Sequence, residues 1–454
     1  MTGLGRALRV AVVGAGPAGL YAAGHLLEAP GGTYLDGRLQ RLVHHPVEVD
    51  VLDQLSTPWG LVRHGVAPDH PEKKLVQRVF EETASRNGFR FFGNISLGRD
   101  VTAAELTEWY DAVVYAVGAA GDTRLGIPGE DLEGSLSARA LVAWYNGHPE
   151  AADLNPDLSG ERAVVIGNGN VALDVARILS LPVEVLARTD IAAHALDALA
   201  NSRIREVVVI GRRTHLHAAF NNPELEELGR LPGVDVAVER DELSHGLLDT
   251  LDATTRRKVE TLRRYADHAG NGNARRIVLR FLAAPTRILG TDRVTGIQLA
   301  TNHAVREGDT VRVQPDGRQQ NLAAGLVLRS IGYFGTPVPG LPFDETRGVV
   351  PNDEGRVLDA GTPLPGVYVT GWAKRGPRGI IGTNKVCARD TVRSLLADLD
   401  RLPTATTLTA AAVETVLRSR RPALVDQYDW LRRDAAERRA GRAAGRPRVK
   451  MIDR

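Results

Sequence analysis

The chain has 454 residues, enough for two or three domains, and its 43% hydrophobic and 25% charged residues are those of an ordinary globular protein. A formal net charge of +2 argues for neither nucleic-acid affinity nor an acidic partner, so any charged partner must be met by a local cluster. A single cysteine, Cys387, excludes an internal disulfide, a C-x-x-C redox pair and a cysteine-ligated iron–sulfur cluster, so any electrons moved here travel on a bound organic cofactor.

Residues 8–13 read as a buried strand running into Gly14-Ala-Gly-Pro-Ala-Gly19, and 20–27 as the helix that follows. Arg6 and Arg9 before this apolar run imitate a signal peptide, but a secretory segment needs no glycines at loop spacing. No apolar run approaches the ~20 residues of a membrane span, so the expected compartment is the cytosol and no membrane insertion is expected. Gly14, Gly16 and Gly19, with Ala18 between them, match the dinucleotide loop, whose small residues let backbone approach a pyrophosphate at a helix N-terminus. Residues 47–52 form the next strand, ending at Asp53, where an acid hydrogen-bonds a ribose hydroxyl; the plain alternative is a strand-end carboxylate.

The stretch 58–71 alternates glycine, proline and aromatic residues, and so shaped a backbone usually lines a site. A helix over 72–86 follows, then strands over 89–92 and 112–117. The first domain crossing is expected near 125. A second glycine loop, Gly167-Asn-Gly-Asn-Val-Ala172, follows a strand over 162–166 and opens a helix over 170–179. Two such loops imply two dinucleotides. The second strand of this unit, 207–210, ends in Gly211-Arg212-Arg213, and arginine there pairs with a 2′-phosphate, so the second cofactor is expected to be NADP.

Residues 180–201 read as a helical excursion, 223–231 as an acid-rich helix and 254–266 as a basic amphipathic one, with Glu260 placed to pair with Arg256. Strands over 277–282, 294–300 and 310–313 look like an inserted antiparallel sheet. A strand over 326–330 should then return the chain to the first unit. A strand over 366–370, a glycine-rich stretch 371–385, a helix over 388–399 and an extended piece over 441–448 complete the chain. The expected fold is α/β: two Rossmann-like, three-layer dinucleotide-binding domains, the NADP domain (126–344) inserted within the FAD domain (1–125 and 345–454).

Together the segments 58–71, 137–147, 167–179, Gly211-Arg-Arg, Ser330-Ile-Gly-Tyr333, 371–385 and Gly445-Arg-Pro-Arg-Val-Lys450 resemble the adrenodoxin-reductase-like ferredoxin–NADP reductases, nearly end to end. The resemblance implies FAD on the first unit and NADP(H) on the second. A hydride would pass between nicotinamide and flavin, and single electrons on to an acidic iron–sulfur ferredoxin. It implies Gly14, Gly16, Ala18, Gly19 and Asp53 around the FAD pyrophosphate and ribose, and Leu61, Val66, Trp372, Gly379 and Ile380 against the flavin. It implies Asn168, Asn170 and Val171 at the NADP pyrophosphate, Arg212 and Arg213 at the 2′-phosphate, and Glu224 near the adenosine. His70 and Glu227 match the family's pair near the nicotinamide. Asp174 is either a third member of that site or simply the partner of Arg177 at i,i+3. Arg256, Arg257 and Lys258 match a basic docking segment, and no metal site or oligomer is implied. The family's Gly-Pro-Leu-Gln is replaced by Thr214-His-Leu-His217, and its Glu-Leu-Arg-Glu by Glu224-Leu-Glu-Glu227. The rival readings are a reductase with a quinone or other acceptor, and a non-catalytic flavin redox sensor.

Overall fold

The structure is a computed structural model that describes residues 6–31, 33–35, 38–40, 46–243, 251–268, 270–307, 310–405 and 408–453. His44 and His45 lie outside the described residues.

The runs Leu8–Val13 and Arg162–Ile166 are apolar on consecutive positions rather than alternate ones, the pattern of strands covered on both faces. Each lies at the centre of a parallel sheet. The first sheet has eight strands in the order Asn352–Asp353, Arg356–Asp359, Thr362–Val369, Ala112–Tyr115, Leu8–Val13, Val47–Leu52, Phe89–Gly93, Val425–Asp426. Its five central strands are parallel and its edges antiparallel. The second sheet has six strands, all parallel, in the order Val234–Val238, Arg275–Arg280, Glu206–Ile210, Arg162–Ile166, Leu326–Arg329, Ser135–Ser137. Strands from beyond residue 350 join the first sheet, so the second is nested inside it in sequence.

Alternation along the central strands shows the layers. Leu8, Val10 and Val12 pack with Leu20 and with Ala388, Val392 and Leu395 of the helix Ile381–Ala397, while Ala11 and Val13 pack with Leu106 and Trp109 on the other face. In the second sheet Ala163 and Val165 face the helix Asn170–Ser180, while Val164 and Ile166 face Ile288, Ile297 and Leu299 of a three-stranded antiparallel sheet. Both sheets are therefore the middle of three layers, but one outer layer of the second is itself a sheet. Each fully buried valine or leucine contributes about 1.5–3 kcal/mol relative to exposure.

Several sequence expectations change. The strand expected over 277–282 is Arg275–Arg280, a parallel member of the six-stranded sheet, because Ile277, Val278 and Leu279 are buried on both faces. The antiparallel sheet is instead Ala283–Leu289, Gly296–Glu307 and Thr310–Ala323. The helix expected over 72–86 is a 3₁₀ turn, Pro71–Val76, followed by the α-helix Gln77–Ala84. The helix expected from 388 begins at Ile381, and the extended piece expected from 441 is entered through the helix Gln427–Ala443.

Candidate active site

Both glycine loops sit where a central strand hands over to a helix. The helix Pro17–Glu28 starts behind Gly16 with no side chain capping it, leaving its first N–H groups for a ligand. A Cβ on Gly19 would lie 1.9 Å from the Gly14 carbonyl oxygen, so only glycine allows the turn; a Cβ on Gly16 would meet nothing within 4 Å. That open, uncapped cradle fits a pyrophosphate. Asp53 is partly buried, and its carboxylate accepts from the N–H of Ala15 at 2.7 Å and of Leu55 at 2.8 Å. Burial pushes its carboxyl up to about 6, with the two N–H donors pulling the other way. Asp53 thus ties the glycine loop to the end of the second strand, a job the sequence did not announce.

The irregular segment folds back onto this loop: the Trp59 N–H donates to the Ala15 carbonyl at 2.9 Å. Leu61 is exposed and Val66 partly so. From the far end of the chain, a Cβ on Gly371 would lie 2.6 Å from the Ala18 Cβ, so the 371–380 stretch abuts the first loop. Trp372 rests against Tyr333 with ring centroids 5.2 Å apart, and its buried indole N–H has no hydrogen-bond partner. Gly379 and Ile380 lead into the helix Ile381–Ala397, with Ile380 69% exposed. A ring system with polar edges, such as an isoalloxazine, suits this mixture of apolar side chains and an orphaned donor.

In the second unit Gly169 is equally open, and the helix Asn170–Ser180 also lacks a side-chain cap. The Asn168 carbonyl accepts from the N–H of Ala219 and Phe220, and the Asn170 side chain accepts from the N–H of Asn221 at 2.8 Å. The Asn168 amide nitrogen lies against Gly211. These contacts bring 168–171, 211–213 and 219–224 together, as the sequence expectation required, with Val171 partly buried. Arg212 and Arg213 are exposed, and among the described residues no carboxylate pairs with either. Glu224 bonds Lys73 at 3.2 Å and keeps its other oxygen buried without a partner.

The two units meet along the irregular segment. His70 is 3% exposed and its Nε2 lies 2.8 and 3.0 Å from the two oxygens of Glu227, on the helix Asn222–Leu228. Asp69 binds Arg177 of the second unit through both oxygens. Asp174 accepts from Arg177 at 2.8 Å, the i,i+3 pairing, and lies 3.8 Å from His70 Nδ1. Burial pushes the Asp174 carboxyl up, with Arg177 opposing. For Glu227 burial acts upward too, but His70 and Arg177 outweigh it and the carboxyl is lowered. Sequence reasoning passed over Asp69, Lys73, Lys74, Asp190 and the full role of Arg177. Only the adjacency of Asp69 and His70 signalled any of them.

The basic helix Ala253–Asp267 divides its charges. Arg256 is exposed and reaches only the Leu251 carbonyl, at 3.3 Å; the expected Glu260 pairing is not among the ion pairs of the described residues. Arg257 is forked onto Glu226. Lys258 donates to the Ala218 carbonyl at 2.6 Å and lies 5.3 Å from the Phe220 ring centroid, which makes it a structural residue.

Residues 8–237 match the family model described as pyridine nucleotide-disulphide oxidoreductase. The chain is 48% identical to the NADPH-ferredoxin reductase FprA of Mycobacterium tuberculosis, over 97% of this chain and 96% of that protein. It is 41% identical to the mitochondrial NADPH:adrenodoxin oxidoreductase of Salvelinus fontinalis, over 98% of this chain and 89% of that one. The solved structure of Mycobacterium tuberculosis FprA in complex with NADPH superposes with a TM-score of 0.91 at 47% identity, covering 99% of this chain and 98% of that one. Two uncapped glycine loops facing one seam, and full-length identity of this order, place the chain among the pyridine nucleotide–disulphide oxidoreductases and, within them, in the adrenodoxin-reductase-like family of FAD-dependent ferredoxin–NADP reductases.

Proposed function

We propose that this chain passes a hydride between NADPH and FAD across the seam at His70 and Glu227, and single electrons onward to an acidic iron–sulfur ferredoxin. The observation behind this reading is that the segment folded against the first glycine loop sets buried His70 against Glu227 of the unit carrying the second loop. Bound FAD supplies the conversion between two-electron and one-electron chemistry.

The chain's own residues hold and orient. Gly14, Gly16, Ala18 and Gly19 would line the FAD pyrophosphate, the N–H groups at the uncapped helix start meeting it, with Asp53 fixing that loop and reaching the ribose. Leu61, Val66, Trp372, Gly379 and Ile380 would enclose the ring system and exclude water. Asn168, Asn170 and Val171 would bind the NADP pyrophosphate, Arg212 and Arg213 the 2′-phosphate, and Glu224 the adenosine end. His70, Glu227 and Asp174 would orient the nicotinamide and manage protons beside it. Hydride transfer itself needs no acid at the reacting carbon.

Membership of the two sheets supports a division into a FAD domain, 1–125 and 345–454, and an NADP domain, 126–344. The described helices include none long and apolar enough to cross a membrane. We place the protein in the cytoplasm as a monomer without nucleic-acid partners, its ferredoxin docking near Arg256. The purified protein is expected to show a flavin spectrum that NADPH bleaches at far lower concentration than NADH. A colourless protein, or a preference for NADH, overturns the reading. Ferredoxin-coupled cytochrome reduction should fall as salt rises.

A further inference from the structure

Arg177 lies on the helix Asn170–Ser180 with 0% exposure, the most enclosed charged group at the seam. Burial opposes its charge, but Asp69, Asp174 and Glu227 more than offset this and keep it ionised. Its Nε and Nη2 grip Asp69, and Nη2 also donates to Asp174 at 2.8 Å. The same Nη2 stands 3.3 Å from His70 Nδ1. The two protons of Nη2 are shared among Asp69, Asp174 and Nδ1. Because a guanidinium has donors only, a ring proton aimed at it would be repelled, so Nδ1 faces it with its lone pair. The remaining ring proton then sits on Nε2, where Glu227 waits at 2.8 Å.

We propose that Arg177 is a positioning residue: it holds His70 as the neutral, Nε2-protonated tautomer that donates to Glu227, and does so by gripping Asp69 across the seam. The inference rests on the placement of His70 and Glu227 at the nicotinamide only for its rate measurement. The groups facing the ring are Asp69 and Lys73 from its own segment, Asp174 and Arg177 from the helix after the second loop, and Glu227. The phenols of Tyr145 and Tyr333 stand in the field of Asp174. Asp69, His70 and Glu227 offer ligand atoms within 4.8 Å of one another, a set that would suit a cation. The guanidinium already meets that demand, because both Asp69 oxygens and His70 Nδ1 face it. Without Arg177, three carboxylates would face the ring with only Lys73 left among them, and the repulsion that keeps a proton off Nδ1 would be gone.

The test is nitrogen NMR on isotope-labelled histidine in the flavin-loaded enzyme, with His70 assigned by its loss in His70→Gln. At neutral pH the wild-type ring should show Nδ1 in the unprotonated range and Nε2 in the protonated range. A proton on Nδ1, alone or with one on Nε2, overturns the proposal. In Arg177→Gln both nitrogens should be protonated. Flavin reduction by NADPH should slow ~10-fold or more and acquire a pH dependence near neutrality, and Arg177→Lys should recover part of both. A folded Arg177→Gln protein with an unchanged tautomer also overturns it, and if that variant does not fold, the wild-type spectrum decides. The expected tautomer together with full activity in His70→Gln would instead sink the nicotinamide placement.

Discussion

His215 stands two positions beyond Arg213, buried and edge-on to Phe281 with ring centroids 6.0 Å apart. Burial, with Arg263 adding repulsion, lowers its imidazole to about 4. An unfolded histidine titrates near ~6.5, so between that pH and 4 the unfolded chain binds the extra proton and stability falls on acidification. The effect is about 3 kcal/mol, complete once the pH passes below 4. Denaturation midpoints of the wild type should therefore drop between pH 7 and 4, and His215→Leu should flatten that slope. Arg213 makes a different prediction. Removing one charged hydrogen-bonding partner of a 2′-phosphate costs about 1.5–3 kcal/mol, so Arg213→Gln should raise the KM for NADPH about 10- to 100-fold and leave that for NADH alone. Steady-state kinetics with both nucleotides check it. The exposed position of the two arginines beside the second loop is legible because the strand 207–210 ends there. That of Arg177 is not, since no local pattern separates a buried guanidinium from an exposed one, and its partner Asp69 lies 108 residues away.

The helix Ala253–Asp267 shows how a run of like residues separates once it has a face. Its sequence offers Arg256, Arg257 and Lys258 as equals, yet among the described residues only the first has no acid or buried acceptor occupying it. Arg256→Glu should lower kcat/KM for the ferredoxin, with the loss shrinking as salt rises. Lys258→Glu should instead lower stability by about 1–3 kcal/mol, because the Ala218 carbonyl loses its donor. Ferredoxin kinetics set beside denaturation curves separate the two. Strands next to glycine loops were read to the residue, as with Leu8–Val13 and Arg162–Ile166, because the loops fix where they end. The run 277–282 points to the antiparallel sheet although Arg275–Arg280 is parallel, because six residues cannot reveal which way a neighbour runs. The helix from Ile381 was read as starting late, because Gly382 reads as irregular chain although packing holds it helical.

The seam between the two units is polar, and buried or half-buried except at Lys73. The segment after Ala67 sets Asp69, His70, Lys73 and Lys74 against Arg177, Glu227, Glu224 and Asp190 in turn. From the other side Lys450 shares Asp190 at 3.3 Å, and Arg446 donates to the carbonyls of Thr189 and Ile191. Burial pushes the Asp190 carboxyl up, but Lys450 and Lys74 hold it down at about 2. Its contribution, about 2 kcal/mol, is complete above the unfolded value near ~3.8 and is lost as pH falls through 2. Asp190→Asn removes the carboxylate shared by Lys74 and Lys450, both already lowered by burial, and should cost about 3–5 kcal/mol at neutral pH, read from denaturant midpoints.

The nesting of one sheet inside the other sets an order of events at the ribosome. Every strand of the six-stranded sheet is encoded between Ser135 and Arg329, whereas the eight-stranded sheet still lacks Thr362–Val369 and the helix Ile381–Ala397 when Arg329 is made. Until Ala388, Val392 and Leu395 arrive, the face carrying Leu8, Val10 and Val12 is covered only in part, by Leu20 and its helix. The unit translated second is thus the first able to close, and the unit begun first closes last. Arrested nascent chains that expose residues up to about 345 should resist protease across the inner sheet and be cut readily before residue 125. The opposite pattern would show that the outer sheet reaches its fold without its last strands.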